Sequence, residues 1–273
     1  MNEEIINKLV CPYDHSEVIL QGNDYFECKK CQRHYPVIKG CVADFLPDGL
    51  RGYEKIKDLG IITETMENTG RWRPGRRKWT PNFFVNLIRF GMGSGRVVDK
   101  KVKKTMLDVG CGGKAQGDFN VDVYIPDPLP KNFVLASAEL LPFKNNSFDI
   151  VRSAYVIEHN LFPTEMIKEH FRVCKDTVRV YTDNSDWLGV LVFRVLNTGS
   201  IFHDEHYFKW SKEYFSNLID RLGFNGKVWL FNSSPSVIIK LFSLLGCLPR
   251  VGPIFYRDLG AEITKVGLSN SKK

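Results

Sequence analysis

No apolar run in the chain reaches the length of a membrane span. Crossing a bilayer takes about twenty apolar residues, and the greasiest late segment, Val237-Ile-Ile-Lys-Leu-Phe-Ser-Leu-Leu-Gly-Cys-Leu248, is shorter and is interrupted by Lys240. Such a run closes a core, or lies against a bilayer or a greasy substrate as a peripheral contact. No apolar run follows the acidic start Asn2-Glu3-Glu4, so no secretory signal is expected and a cytoplasmic location is. The seven cysteines are odd in number, which in a chain of this kind speaks for metal binding or plain burial rather than a disulfide framework.

What is present suits a folded domain with something added. A hydrophobic share of 43% and a charged share of 25% are ordinary for a globular protein, and 273 residues suffice for one large domain and a small one. The net charge of +7 is concentrated between Arg51 and Lys104, where fourteen Lys and Arg face five Asp and Glu.

The stretch that organises the rest is Thr105-Met-Leu-Asp-Val-Gly-Cys-Gly-Gly113, continuing to Asp122. Thr105 to Val109 reads as a buried strand that ends on glycines, the way a parallel strand feeds a ligand-binding loop at its carboxyl end. Glycine there permits positive φ and close approach of the backbone to a ligand. Asp122, closing the next apolar piece, is placed to accept hydrogen bonds from a ribose. Taken alone, three glycines also describe an ordinary tight turn.

Two further places follow in order: Ala138-Glu-Leu-Leu-Pro-Phe143 leading into Ser147-Phe-Asp-Ile-Val151, then Val156-Ile-Glu-His159. With Leu107 to Gly113 they resemble a class I S-adenosylmethionine-dependent methyltransferase of the broad type 11 kind, over residues 105 to about 225. The resemblance implies an α/β fold with a Rossmann-like, seven-stranded, mostly parallel sheet. It also implies that Asp108, Gly110, Cys111 and Gly112 back the methionine portion of S-adenosyl-L-methionine, that Asp122 holds the ribose, and that Ala138 and Glu139 border the adenine. Two departures stand out. Gly112 and Asp122 are ten residues apart, so at most a stub of helix fits where a full helix is usual, and Ser137 stands where an acid often meets the adenine amine.

Ahead of this, Leu9-Val-Cys-Pro-Tyr-Asp-His15 and Phe26-Glu-Cys-Lys-Lys-Cys31 resemble the two knuckles of a zinc ribbon. Tyr35 to Gly40 and Asp44 to Pro47 are similar to the tail of small ribbon domains that precede or activate methyltransferases. The second knuckle is a complete Cys-x-x-Cys; in the first, Asp14 occupies the second cysteine's place with His15 beside it. Cys11, Cys28, Cys31 and either Asp14 or His15 make a tetrahedral zinc set, with His34 a further candidate. The alternative is a metal-free module resting on Tyr25, Phe26, Tyr35 and Phe45. These readings divide the chain into a zinc-ribbon-like β module (1–47), a basic linker or cap (48–104) and a methyltransferase domain (105–273).

The linker carries Arg71-Trp-Arg-Pro-Gly-Arg-Arg-Lys-Trp79, whose cations and rings could grip phosphates and stack on bases, or form a solvated basic loop. Phe83 to Phe90 is expected as a helix. Beyond the glycine turn, strands are expected at 133–135, 148–154, 177–181 and 227–231, with helices from Pro163 to Arg172 and after Ser211 up to Gly223. Glu158 and His159 fall just past a strand's carboxyl end, where such sheets place reactive groups, and His159 is a candidate general base. His203-Asp-Glu-His-Tyr207 resembles the stretch that precedes the last large helix in many such methyltransferases; it reads as a wall of the substrate site, although two histidines three apart around acids could also bind a metal. The reading is a methyltransferase acting on a small molecule, glycan or lipid-linked acceptor. The alternatives are a ribosomal or transfer RNA base methyltransferase, and a non-catalytic binding module with a degenerate cofactor site.

Overall fold

The computed structural model describes residues 1–47, 97–99, 103–190, 206–233, 244 and 252–265. The basic Arg71 to Trp79 stretch, the expected helix at 83–90, most of the apolar segments at 187–196 and 237–248, and His203 lie outside them.

The short helix α1 (Glu3–Ile6) is capped by the Asn2 side chain, which accepts from the Glu4 N–H. Four strands follow: β1 (Val18–Gln21), β2 (Tyr25–Cys28), β3 (His34–Ile38) and β4 (Val42–Asp44), joined as an antiparallel meander. Gly22, at φ 60°, makes the β1–β2 turn in the left-handed region that glycine tolerates. Inside the meander, the rings of Tyr35 and Phe45 stack at 4.5 Å and Phe26 packs at 5.7 Å from Phe45, all three buried.

The second part begins with β5 (Met106–Val109), β6 (Phe119–Asp122), β7 (Phe133–Leu135) and β8 (Phe148–Ala154). It continues through α2 (Pro163–Val173), β9 (Cys174–Asp183), α3 (Lys212–Arg221), β10 (Gly226–Phe231) and β11 (Asp258–Thr264). Neighbouring order runs β7-β6-β5-β8-β9-β11-β10, parallel throughout except that β11 runs against both β9 and β10. This is the seven-stranded, mostly parallel, Rossmann-like sheet. Its central strands are buried almost throughout because both faces are covered, even where they carry Asp108, Asn120, Asp122 and Arg152. The ends of α2 and α3 follow local chemistry. Pro163 sits in the first turn of α2, Ser211 caps α3 by accepting from the Tyr214 N–H, and Gly223 at φ 73° ends α3.

The two parts share one sheet of eleven strands, because β4 pairs in parallel with β7, Ala43 opposite Val134 and Asp44 opposite Leu135. The Phe45 N–H continues that ladder to the Leu135 carbonyl. Residues 8–10 fasten the other side: the Val10 N–H donates to the Pro142 carbonyl, and the Lys144 N–H to that of Lys8. One apolar cluster therefore runs from Ile5 and Phe45 through Phe143 and Phe148 to Ile263, and a second, smaller one gathers Val42, Leu46, Cys111, Phe133 and Leu135. No helix among the described residues is long and apolar enough to cross a membrane.

Candidate functional site

The order of strands turns at β5, with β6 on one side and β8 on the other, and open α/β sheets bind their ligands outside the carboxyl ends at such a point. There the chain leaves β5 through Gly110 (φ 67°) and Gly112 (φ 53°), conformations that a side chain resists. A Cβ at Gly110 would also overlap the Cγ2 of Val156. Between β5 and β6 there is only a single 3-10 turn, Gly112–Lys114, the stub that the ten-residue spacing allows. The Gly110 N–H donates 2.8 Å to the Val121 carbonyl, so the turn folds back over the end of β6.

Asp122 lies directly under that turn, 6% exposed. Its Oδ2 accepts from the Gly112 N–H at 2.8 Å and its Oδ1 from the Val123 N–H at 2.8 Å. An ionised carboxylate has about four lone-pair sites, so both oxygens retain capacity for ribose hydroxyls. Burial pushes its carboxyl up to about 7, against the lowering effect of those backbone donors. Cys111 is buried beside it, its thiol pushed up by burial and by the Asp122 charge, so it behaves as a small apolar filler. Tyr124, which the sequence reading did not single out, brings its hydroxyl within 3.4 Å of the Cβ position at Gly112.

Asp108 faces elsewhere. Its Oδ1 accepts from Arg152 Nη1 at 2.7 Å and its Oδ2 from the Gln116 N–H at 2.8 Å, with the side chain 1% exposed. The carboxylate thus holds the far end of the glycine loop through Gln116. Arg152 in turn pairs with Asp99 at 2.7 Å, Asp99 with Arg179 at 2.9 Å, and the Tyr181 hydroxyl donates to Asp99 at 2.9 Å. This buried network pins residues 97–99 across the sheet. The only hint of it in the sequence was an arginine inside the apolar strand Phe148–Ala154.

On the β7–β8 loop, Ala138 is buried and Glu139 Oε2 accepts from Asn160 Nδ2 at 2.7 Å. The Ala136 N–H donates 3.0 Å to the Asp122 carbonyl. Gly110, Asp122, Ala136, Glu139, Asn160 and Val156 therefore close a ring around the carboxyl ends of β5, β6 and β8. Glu158 and His159 lie beside it, on the loop between Val156 and Asn160. The His159 and His206 rings meet edge to face at 4.5 Å, and Glu158, His159 and His206 each offer a ligand atom within 4.8 Å of the others. Glu158 is 1% exposed; its Oε2 accepts from the Thr182 hydroxyl at 3.0 Å, and its Oε1 has no hydrogen-bond partner among the described residues. Asp183 stands behind, its Oδ2 3.9 Å from His206 Nδ1 and its Oδ1 3.3 Å from Arg257 Nη2.

The amino-terminal knuckles share one geometry. In the first, the His15 N–H donates to the Cys11 carbonyl at 2.9 Å and His15 turns to φ 56°; in the second, the Gln32 N–H donates to the Cys28 carbonyl at 3.0 Å and Gln32 turns to φ 57°. His15 is thus the counterpart of Gln32, the residue that closes the turn, and Asp14 is the counterpart of Cys31. The ligand atoms of Cys11, Asp14, Cys28 and Cys31 all lie within 4.8 Å of one another. Cys11 Sγ is 3.7 Å from Cys31 Sγ, and Cys28 Sγ is 3.6 Å from Asp14 Oδ1. Two sulfurs bound tetrahedrally at about 2.3 Å stand roughly 3.8 Å apart, so the set has the dimensions of a zinc site. His15 is not among these converging residues; its Nε2 lies 3.9 Å from Glu169 Oε1. His34 likewise lies outside the group, against Tyr25 and Glu27.

Known proteins resemble part of the chain. Residues 107–182 match the family described as a methyltransferase domain. No curated protein matches the chain. Among solved structures, phosphoethanolamine N-methyltransferase 2 of Haemonchus contortus with S-adenosyl-L-methionine is similar at 15% identity, covering 82% of this chain and 62% of that one, TM-score 0.45. Magnesium protoporphyrin IX methyltransferase of Synechocystis with bound SAH is similar at 13% identity, covering 69% and 90%, TM-score 0.41. A chain of the Haloferax volcanii complex between the Trm112 methyltransferase activator and a methyltransferase is similar at 13% identity, covering 66% and 88%, TM-score 0.41.

Proposed function

Because residues 107–182 match a methyltransferase domain, we propose that the protein transfers the sulfonium methyl of S-adenosylmethionine to a hydroxyl, amine or carboxylate of a small-molecule, glycan or lipid-linked acceptor. The observation that carries the cofactor assignment is the closure of the glycine turn on Asp122, through its bond with the Gly112 N–H. In this reading Gly110, Cys111 and Gly112 back the methionine portion, Asp122 takes the ribose hydroxyls, and Ala138 and Glu139 border the adenine. Asp108 acts at one remove, by holding the loop through Gln116.

Methyl transfer from a sulfonium is an in-line displacement with an activated leaving group, so alignment and exclusion of water can supply much of the rate. The surface around His159 favours an acceptor with an apolar part. Leu161 and Phe162, further along the same loop, and Tyr207 and Phe208, whose N–H groups reach the Glu158 carbonyl, are exposed. An RNA acceptor would draw its support from the basic stretch at 71–79, which lies outside the described residues. Incubating the protein and tritium-labelled cofactor with fractionated cell extract should label the small-molecule, lipid or glycan fraction. Label confined to RNA would overturn the choice of acceptor.

The cofactor assignment has its own test. Asp122→Ala should weaken cofactor binding by roughly 1.5–3 kcal/mol, the loss of hydrogen bonds to a charged group, or about 10- to 150-fold in Kd. Asp122→Asn, which keeps one acceptor, should fall between. Unchanged affinity by calorimetry would remove Asp122 from the site. In the amino-terminal module, Cys11, Asp14, Cys28 and Cys31 hold one structural zinc in this reading, the 3.7 Å sulfur separation being its support.

A further inference from the structure

The cluster past the ends of β8 and β9 is chemically distinct from the cofactor ring beside it. Two imidazoles and a carboxylate converge there on residues that share no helix turn: Glu158 and His159 leave β8, while His206 arrives from the chain leading to α3. Buried carboxylates are normally paired with a cation or fully hydrogen-bonded. Glu158 is 1% exposed; its Oε2 accepts from the Thr182 hydroxyl, while Oε1 has no hydrogen-bond partner among the described residues. The nearby guanidinium of Arg257 is directed to Asp183, at 3.3 Å, and to Asp258, at 3.1 Å. Asp183 Oδ2 lies 3.9 Å from His206 Nδ1, the position from which a carboxylate behind a ligand histidine orients the ring.

We infer that Glu158, His159 and His206 form a binding site for a divalent first-row transition metal, with Asp183 orienting His206, and that the methyl acceptor is an oxygen nucleophile ligated there. Two imidazoles with one carboxylate leave coordination positions open and suit Mn2+, Fe2+, Co2+ or Zn2+ more than Mg2+ or Ca2+, which take oxygen ligands. The location is apt: Val156, three residues before His159, packs on Gly110 of the glycine turn, so the site borders the cofactor cleft. The inference about the acceptor rests on the methyltransferase reading; the metal site does not. A bound divalent ion lowers the pKa of an attached hydroxyl. The acceptor hydroxyl then gives its proton to water, its oxygen forms the new bond to the sulfonium methyl, and the electron pair of the broken sulfur–carbon bond stays on sulfur.

The test uses the full chain with Mn2+ alone and Co2+ alone, followed by electron paramagnetic resonance and visible absorption. Mn2+ discriminates against the thiolate site at the amino terminus, because soft sulfur ligands do not favour it. One Mn2+ per chain is expected. Losing one ligand should raise its Kd at least tenfold in His206→Ala and in Glu158→Gln, since removing even outer partners of metal ligands costs 10- to 100-fold. Cys28→Ser should leave Mn2+ binding unchanged. Glu158→Gln, close to isosteric, decides the matter if His206→Ala does not fold. Calorimetry of cofactor binding without metal separates the two readings: retained cofactor affinity with no bound Mn2+ sinks the metal site alone. Metal affinity unmoved in the folded variants overturns it equally.

Discussion

Cys28→Ser is expected to empty the amino-terminal metal site and loosen residues 9–38, while the seven-stranded sheet stays folded. Structural zinc contributes on the order of 10–16 kcal/mol of apparent binding free energy in small zinc domains, and in such domains that energy is the folding energy. Here the module has a second source of order, the Tyr35–Phe45–Phe26 rings and the β4–β7 pairing. The variant should therefore not unfold outright. The two knuckles should lose protection from amide exchange by at least tenfold, and the zinc held by Cys11, Asp14, Cys28 and Cys31 should fall from one per chain to nearly none. Elemental analysis finding no zinc in protein purified without chelator would leave the module to its aromatic packing.

Arg152→Ala should destabilise the protein by about 3–5 kcal/mol, the cost of stripping the partner from a buried charge. The guanidinium is 3% exposed and touches both Asp108 and Asp99 at 2.7 Å. Even with Arg152 present, burial outweighs its attraction and raises the Asp108 carboxyl above its ordinary value. Without it, that carboxyl should rise further. An acid whose folded pKa exceeds its unfolded one contributes stability at low pH that is lost as pH rises through the folded value. The deficit of the variant should accordingly be largest at neutral pH and shrink on acidification, as read from urea midpoints across pH. A deficit that does not change with pH would mean that lost packing, not stranded charge, accounts for the damage.

Most of the sheet was legible because its strands are short apolar runs bounded by glycine, proline or asparagine. Strands at 133–135 and 148–154 appear as expected, and the helices at 163–173 and 212–221 begin and end on the proline, serine and glycine that suggested them. β11 was not foreseen, since Asp258-Leu-Gly-Ala-Glu-Ile-Thr264 carries two acids and a glycine. They fit because Asp258 meets the Tyr155 hydroxyl at 2.9 Å and Glu262 meets Arg179 at 3.0 Å. Of the site, the glycine turn with Asp122 could be read locally, whereas the Arg152 network and the meeting of His159 with His206 depend on which strands become neighbours. Between Asp14 and His15 the sequence offered spacing alone, Asp14 standing where Cys31 stands in the second knuckle. The structure adds a left-handed residue closing each turn, His15 and Gln32.

The parallel pairing of β4 with β7 also imposes an order of events on folding. Antiparallel neighbours β1 to β4 can assemble from local contacts as soon as they leave the ribosome, but Ala43 must wait for Val134 before its outer edge is satisfied. Loop-closure entropy grows only slowly with length, about 0.6 kcal/mol per doubling, so the long intervening segment costs little at equilibrium. Its effect is on timing, because contacts distant in sequence form slowly. During synthesis β4 offers a bare strand edge, open to a neighbouring nascent chain, until β5 to β7 emerge and cover it.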